Sequence, residues 1–437
     1  MKIRTWLNAL LILVPITLVV WYLSRQAGGG QLDVLLFVLA LVALVPLASL
    51  IGTCTDRLEK YLGDRVGGLI GASFSNVPEL AIGIALLVHA HTDATAPLVV
   101  SSDLEVIRGL LLGSVINNVL FVLGSSIFLA ALRNGRMNFS AESASGYASM
   151  LALAVVGLAL PGLAISLISS SSHGQQQSTA LNISVPFGII LILSYLCYIA
   201  ATVFHVGEHK AKKVQEEEAR EEGGRETSEA VPEVAVGGAP LLGDEGTYET
   251  ELQKTIEADE EEEETERKRH AELRRKNPYA VPITLVTLAI VTVVTVLMAV
   301  TLTSVTDKVI SGTFLTPLSV GLILFPIVCN LGEQASSVLN AWHDDMEGTM
   351  AVAAGSSVQV ALFVTPVLVL LSYLLATGNS SLILVLIFQP QELIVVGLVA
   401  FVYTLVSQDG ETTWLEGLQL LAFYAMIVAV AFLLPGR

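Results

Sequence analysis

Gly71-Ala-Ser-Phe-Ser-Asn76-Val-Pro-Glu79 and Leu324-Phe-Pro-Ile-Val-Cys-Asn330-Leu-Gly-Glu333 carry the pattern that organises this chain. Both contain Asn-x-x-Glu, and each lies inside an apolar stretch, 67–90 and 314–342. A second pair of runs matches as well. Gly113-Ser114-Val-Ile-Asn117-Asn118-Val-Leu-Phe-Val answers to Gly355-Ser356-Ser-Val-Gln359-Val-Ala-Leu-Phe-Val, each with Gly-Ser, an amide side chain and an apolar run. The chain thus repeats itself around buried acids.

Working outward, a hydrocarbon core about 30 Å thick takes roughly 20 apolar residues per helix. Eleven stretches meet that rule: 6–23, 32–52, 67–90, 107–131, 145–168, 183–206, 280–304, 314–342, 349–376, 381–407 and 413–434. Hydrophobic residues make up 53% of the 437 and charged residues only 14%, against about a quarter charged in soluble domains. An ordinary soluble enzyme is excluded. The first stretch follows Lys2 and Arg4 and reads as a retained helix rather than a signal peptide, being long for one. Setting it aside, five stretches precede and five follow a polar segment. An odd number per half inverts one half relative to the other, the layout of many secondary transporters. The expected fold is an all-α polytopic membrane protein of about eleven transmembrane helices. It divides into a leading helix (1–31), a first five-helix repeat (32–206), an acidic linker or helix (207–276) and a second, inverted five-helix repeat (277–437).

A formal net charge of −17 sits oddly in such a chain, but it is concentrated. Residues 207–276 hold 22 acids and 12 bases, 34 of the 63 charged side chains. The run Asp259-Glu260-Glu261-Glu262-Glu263-Glu264 lacks the alternating ligands and central glycine of an EF-hand, so it reads as a solvated linker or charged helix with diffuse cation affinity. Lys2, Arg4, Arg57, Lys60, Arg65, Arg133, Arg136 and this segment fall on one side, which the positive-inside rule makes cytosolic. The turns 89–106 and 169–182 fall on the far side. Three separated cysteines (Cys54, Cys197, Cys329) make neither a disulfide framework nor a zinc site and read as buried thiols. No basic surplus points to nucleic acid, and no nucleophile–base pair or phosphate loop points to an enzyme.

A carboxylate in mid-membrane costs about 2.5–3.5 kcal/mol on insertion scales. Two of them at matching repeat positions point to function. At i and i+3, Asn76 and Glu79 share one helix face, as do Asn330 and Glu333. The inverted repeat would bring two carboxylates and two amide oxygens together, with Ser114, Asn118, Ser356 and Gln359 completing the shell. Small residues (Gly71, Ala72, Ser73, Gly332, Ala335, Ser336) allow close helix approach. An all-oxygen site with two acids suits a hard divalent cation, most simply Ca²⁺. The same glutamates can take protons instead, so metal and protons compete for one site. Glu392, with Gln389 and Gln391 around Pro390, has no partner motif and reads as structural. Asp344, Asp345 and Glu347 read either as a cation-recruiting entrance or as a solvated turn. None of the seven histidines has metal-ligand spacing, and His89/His91 is at most a surface site.

These residues resemble the cation/proton exchanger family of the Ca²⁺:cation antiporter superfamily, whose familiar members are vacuolar Ca²⁺/H⁺ exchangers. The family pattern has Gly-Asn-x-x-Glu in each half and a block similar to Gly355-Ser-Ser-Val-Gln-Val-Ala-Leu-Phe-Val-Thr365-Pro366. Here Ser75 and Cys329 stand in place of the glycines, and Gln334 in place of a histidine that often follows. About a dozen extra residues separate Glu79 from Gly113, compared with Glu333 and Gly355. The resemblance implies that Glu79 and Glu333 exchange metal and protons, with Asn76, Asn330, Ser356 and Gln359 as neighbouring ligands. It implies a regulatory role for the acidic segment. It implies exchange of cytosolic Ca²⁺ for lumenal H⁺ by alternating access, in a vacuolar or other acidic membrane, with no cofactor beyond the transported ions. The expected partners are membrane lipid and a divalent cation, with a homo-oligomer left open. The alternatives are the same fold carrying Mn²⁺, Na⁺ or K⁺, and a non-transporting Ca²⁺-sensing membrane protein.

Overall fold

Two long helices form the spine of the bundle. Gln31–Leu62 (α2) and Ala280–Gly312 (α8) have 32 and 33 residues, so each is about 48 Å long at 1.5 Å per residue and outreaches a hydrocarbon core. They pack against each other. The computed structural model describes residues 9–27, 31–63, 70–71, 73–92, 97–167, 173–204, 265, 268–376 and 382–433. Around the spine lie α1 (Leu13–Ala27), α3 (Val77–Thr92), α4 (Pro97–Ile116), α5 (Leu123–Asn134), α6 (Ala141–Leu167) and α7 (His173–Phe204). The second half adds α9 (Phe325–Cys329), α10 (Leu331–Trp342), α11 (Met346–Gln359), α12 (Thr365–Leu375), α13 (Pro390–Val406) and α14 (Trp414–Leu433). One two-residue ladder, Met137–Asn138 with Glu411–Thr412, ties the loop after α5 to the loop before α14.

Among the described residues, seven helices are long and apolar enough to cross a membrane. The pair 317–329 and 331–342, bent by 53°, makes an eighth span if counted as one. Three shorter apolar helices, Leu10–Gln26, Val77–Thr92 and Pro390–Val406, occupy the remaining three stretches expected from the sequence. Two expected turns are instead largely helical. Residues 97–106 form the start of α4, opened by Pro97, and α7 starts at His173. The stretch 381–407 is helical only from Pro390, where Glu392 closes a capping box with Gln389. The exposed positions Ile283, Val286, Ile290 and Val293 line one apolar face of α8, whereas α4 is buried nearly all round, the pattern of a central helix.

Packing is reciprocal between the halves. α3 packs on α8 as α10 packs on α2; α3 meets α12 as α10 meets α5; α7 meets α12 as α14 meets α5; and α6 packs on α13. Glycine permits the closest crossing. A Cβ on Gly113 would lie 2.3 Å from the Leu322 carbonyl oxygen, and one on Gly321 would lie 2.4 Å from that of Val106. Gly332 is likewise pressed against α2, at 2.9 Å from the Ala48 oxygen. Gly71, expected to serve the same end, has open space around its Cβ position and lines a cavity instead. Ala72 lies outside the described residues, as does the run Asp259–Glu264.

Candidate cation site

Both Asn-x-x-Glu motifs lie at helix breaks. Residues 73–74 are helical, Ser75 and Asn76 form a turn, and α3 starts at Val77. In the second half α9 ends at Cys329, the axis turns at Asn330, and α10 starts at Leu331. Each asparagine therefore occupies the break, not a continuous helix face as the i, i+3 spacing implied. Each glutamate stands in the first turn of a new helix, where the positive end of the helix dipole favours a carboxylate. Pro78 explains one break. A proline at the start of a helix loses only an N–H that would be unpaired anyway, whereas in mid-helix it costs about 3 kcal/mol.

The structure joins residues from both halves. Ser356 Oγ lies 2.7 Å from Glu333 Oε1 and 3.1 Å from Asn76 Oδ1, donating its hydrogen between them. Asn76 Nδ2 donates to Gln359 Oε1 at 2.6 Å, and Ser75 Oγ donates to the same oxygen at 2.8 Å. Ser75, one of the departures from the family glycine, is thus part of the network. Glu79 is 1% exposed and is an electrostatic neighbour of Glu333. Cys329 is buried beside both. Gln334, the other departure, points its amide elsewhere and donates to Ser125 Oγ.

The opposite part of the site is polar but unbonded. Both Glu79 oxygens, Glu333 Oε2, Asn330 Oδ1, Ser114 Oγ, Asn117 Oδ1 and Asn118 Oδ1 are buried with no hydrogen-bond partner among the described residues. Each such atom costs roughly 1–3 kcal/mol. A protein does not bury seven such oxygens, three of them on two carboxylates, for stability. The set matches in kind the 6–8 oxygens that Ca²⁺ takes.

A cavity of about 370 Å³ reaches this cluster. Asp56 and Glu59 of α2 stand among its lining residues, with Tyr198, and it reaches Glu333, Ser356 and Gln359. Glu79 and Asn330 are not among its lining residues. The acids at the entrance are therefore Asp56 and Glu59. Of the turn residues considered for that role, Asp345 accepts from Gly348 N at 2.8 Å to cap α11, and Glu347 accepts from Ser140 N at 3.2 Å. Cys197 is exposed on α7, unlike the other two cysteines. A larger cavity of about 460 Å³ lies between α4 and α13, lined by Glu105, Arg108, Gln389 and Glu392, away from both motifs.

Sequence reasoning missed Asn117. Counted from Gly113 and Gly355 without a gap, it is Asn117 rather than Asn118 that matches Gln359. It also left His89 as at most a surface site, whereas His89 meets Asp103 and Asp307 at the other end of the bundle.

Comparison with known proteins bears on this geometry. The family model described as sodium/calcium exchanger protein matches residues 32–204 and 283–433. A Ca²⁺/H⁺ antiporter of Synechocystis is 31% identical, the match covering 97% of this chain and 95% of that one. A vacuolar calcium ion transporter of Cryptococcus neoformans is 29% identical, over 99% of this chain and 74% of its own length. The solved structure of native YfkE superimposes with a TM-score of 0.66 at 22% identity, covering 97% of this chain and all of that one. The H⁺/Ca²⁺ exchanger CAX does so with 0.61 at 13% identity, over all of this chain and 89% of that one. At those identities the two structures speak for the fold.

Proposed function

The chain belongs to the sodium/calcium exchanger protein family, and from that premise we propose that it is a secondary active antiporter exchanging Ca²⁺ for protons. The cargo site is the cluster around Glu79 and Glu333. The observation that carries this reading is the set of seven buried oxygens without partners among the described residues, three on the two carboxylates and four on Asn330, Ser114, Asn117 and Asn118. Two carboxylates are neutralised by one Ca²⁺ or by two protons, so the two cargoes exclude each other. Ser356 holds Glu333 from within the same half and is itself tied, with Gln359, to Asn76 of the partner half, while Asn330, Ser114, Asn117 and Asn118 offer free oxygens. Relatives named as Ca²⁺/H⁺ antiporters and vacuolar calcium ion transporters support the choice of ions.

The two halves, 32–206 and 277–437, are inverted repeats that alternate access around this fixed site. Their reciprocal packing and the two broken motif helices support that relation. The cavity mouth lies at the C-terminal end of α2, next to Arg57 and Lys60, so the positive-inside rule makes it cytosolic. On this reading the site is open to the cytosol. At neutral pH the glutamates receive Ca²⁺ through the mouth acids Asp56 and Glu59. Facing an acidic lumen, they take protons and release it. The acidic segment 207–276, with its run Asp259–Glu264, regulates this traffic from the cytosolic side. Residues 268–276, which close that segment, are helical and dock on α2: His270 Nδ1 lies 2.8 Å from the Lys60 oxygen, and Arg274 Nε donates to the Tyr61 oxygen at 2.5 Å.

Reconstituted vesicles with an acidic interior test the proposal. Glu79→Gln and Glu333→Gln are each expected to reduce Ca²⁺ uptake to the level of empty vesicles. Uptake at the wild-type rate in both variants overturns it. Competition by Mn²⁺, Na⁺ and K⁺ in the same assay fixes the ion.

A further inference from the structure

A second group of ligand-type side chains lies at the opposite end of the spine. His89 near the end of α3, Asp103 in α4 and Asp307 near the end of α8 bring one imidazole nitrogen and two carboxylate oxygens within 4.8 Å of one another. His89 Nδ1 is 2.8 Å from Asp103 Oδ2 and 3.8 Å from Asp307 Oδ2. The neighbouring Lys308 lies 3.8 Å from Asp33, at the start of α2. Asp33 is 23 residues from Asp56 of the cavity mouth, about 35 Å along a helix. This cluster is therefore no part of the cavity or of the carboxylate pair described above.

We propose that His89, Asp103 and Asp307 form a binding site for a borderline transition-metal dication of the Zn²⁺ class. Three lines of chemistry support the assignment. First, the donor set contains a nitrogen. Imidazole with carboxylates suits zinc and its neighbours, whereas calcium and magnesium select oxygen alone. Second, the spacing fits. Donors about 2.1 Å from a tetrahedral metal lie about 3.4 Å apart, and the two histidine–aspartate separations fall on either side of that value. Third, the site is built. Asp103 is 0% exposed, the three donors come from three helices, and Ser102 Oγ donates to Asp307 Oδ1 at 2.7 Å, turning Oδ2 towards the histidine. Two aspartates and a neutral imidazole balance a dication.

Occupancy ties α3 to α4 and α8 at one point. His89 is ten residues from Glu79 on the same helix, so a metal here restrains the element that carries one of the cargo acids. The metal site does not depend on that coupling or on the transport reading.

Zn²⁺ titration of the purified full chain in detergent, in the presence of excess Ca²⁺, tests the assignment by calorimetry, with Co²⁺ absorption as a second probe. Wild type and the Glu79→Gln/Glu333→Gln double variant are expected to show one site that Ca²⁺ does not displace. His89→Gln and Asp307→Asn are expected to weaken it by about tenfold or more, since loss of an outer-shell contact alone costs about 10–100-fold. His91→Gln is expected to leave it intact. Retention of wild-type affinity in both His89→Gln and Asp307→Asn overturns the proposal. So does displacement by Ca²⁺, or wild-type protein with no Ca²⁺-resistant Zn²⁺ site, which would leave a histidine–aspartate ion pair only. If His89→Gln does not fold, Asp307→Asn, whose side chain is already part-exposed at 19%, carries the test.

Discussion

The two halves carry the same landmarks at different separations. A histidine stands ten residues after each motif glutamate, His89 and His343, and an aspartate ten residues before each Gly-Ser, Asp103 and Asp345. In the second half histidine and aspartate are two residues apart; in the first they are fourteen apart. The dozen extra residues of the first half therefore all fall between these two positions. The short version makes a tight turn. Asp344 takes a φ of 67°, Asp345 caps α11, and His343 Nδ1 lies 2.7 Å from the Leu339 carbonyl oxygen. The long version extends α3 and α4, so that Asp103 stands inside α4 and meets His89 and Asp307 side by side. One pair of residue types is thus satisfied by local turn chemistry at one end and by tertiary contact at the other. The lengthened end is clasped across three helices. The cavity enters at the end with the short turn.

The largest effect that would sharpen this comparison concerns Gly113 and Gly355, which open matching runs. A Cβ on Gly113 meets the Leu322 carbonyl oxygen at 2.3 Å and the Pro326 ring at 2.7 Å, whereas on Gly355 the nearest atom is Tyr147 Cε1 at 3.5 Å. Gly113→Ala is expected to cost about 1–3 kcal/mol or more through overpacking against backbone, visible as a lowered Tm in detergent. Gly355→Ala is expected to be neutral or to stabilise by a few tenths of a kcal/mol up to about 1, as in any helix interior. Equal losses in the two variants would mean that the halves pack alike, against the asymmetry described above.

That asymmetry also sets what the sequence could tell. The acids Glu79 and Glu333 were legible because a carboxylate in an apolar run is costly, and their doubling made chance a poor explanation. Ser356 and Gln359 were legible from the repeat, and both bond across the halves to Asn76, while Ser356 also bonds Glu333 within its own half. The helix breaks at Asn76 and Asn330 were not, because Asn-x-x-Glu at i, i+3 fits a continuous helix equally well. The His89–Asp103–Asp307 cluster was hidden for a different reason. Its members lie on three helices, and Asp103 was assigned to a turn that Pro97 in fact starts as helix. The sequence feature that could have singled out His89 and Asp103 is their equal ten-residue offset in the two halves. Asp56 and Glu59 looked like ordinary residues at the end of a span until packing placed them on the cavity.

A smaller effect separates Asn76 from Asn330, the two motif amides. Asn76 bonds Gln359 and Ser356, so Asn76→Ala leaves those buried groups with one partner fewer and is expected to cost about 1–3 kcal/mol of stability. Asn330 has no hydrogen-bond partner for its side chain among the described residues. Asn330→Ala is therefore expected to leave the Tm nearly unchanged and to raise the Ca²⁺ concentration needed for half-maximal uptake. Thermal melting beside a Ca²⁺ titration of vesicle uptake reads both. A large loss of stability in Asn330→Ala would mean that its amide is structural and would remove it from the cargo site.

The smallest expected effect lies at the short turn. Asp345 accepts a hydrogen bond from Gly348 N at 2.8 Å, and loss of such an N-cap costs about 1 kcal/mol. Asp345→Ala should therefore lower the Tm by only a few degrees and leave Zn²⁺ binding unchanged. Asp103→Asn occupies the matching position ten residues before its Gly-Ser, yet it should abolish the tight Zn²⁺ site. If Asp345→Ala weakened Zn²⁺ binding as much as Asp103→Asn did, the metal would be held at the turn as well. The contrast between a locally satisfied aspartate and a ligating one would then fail.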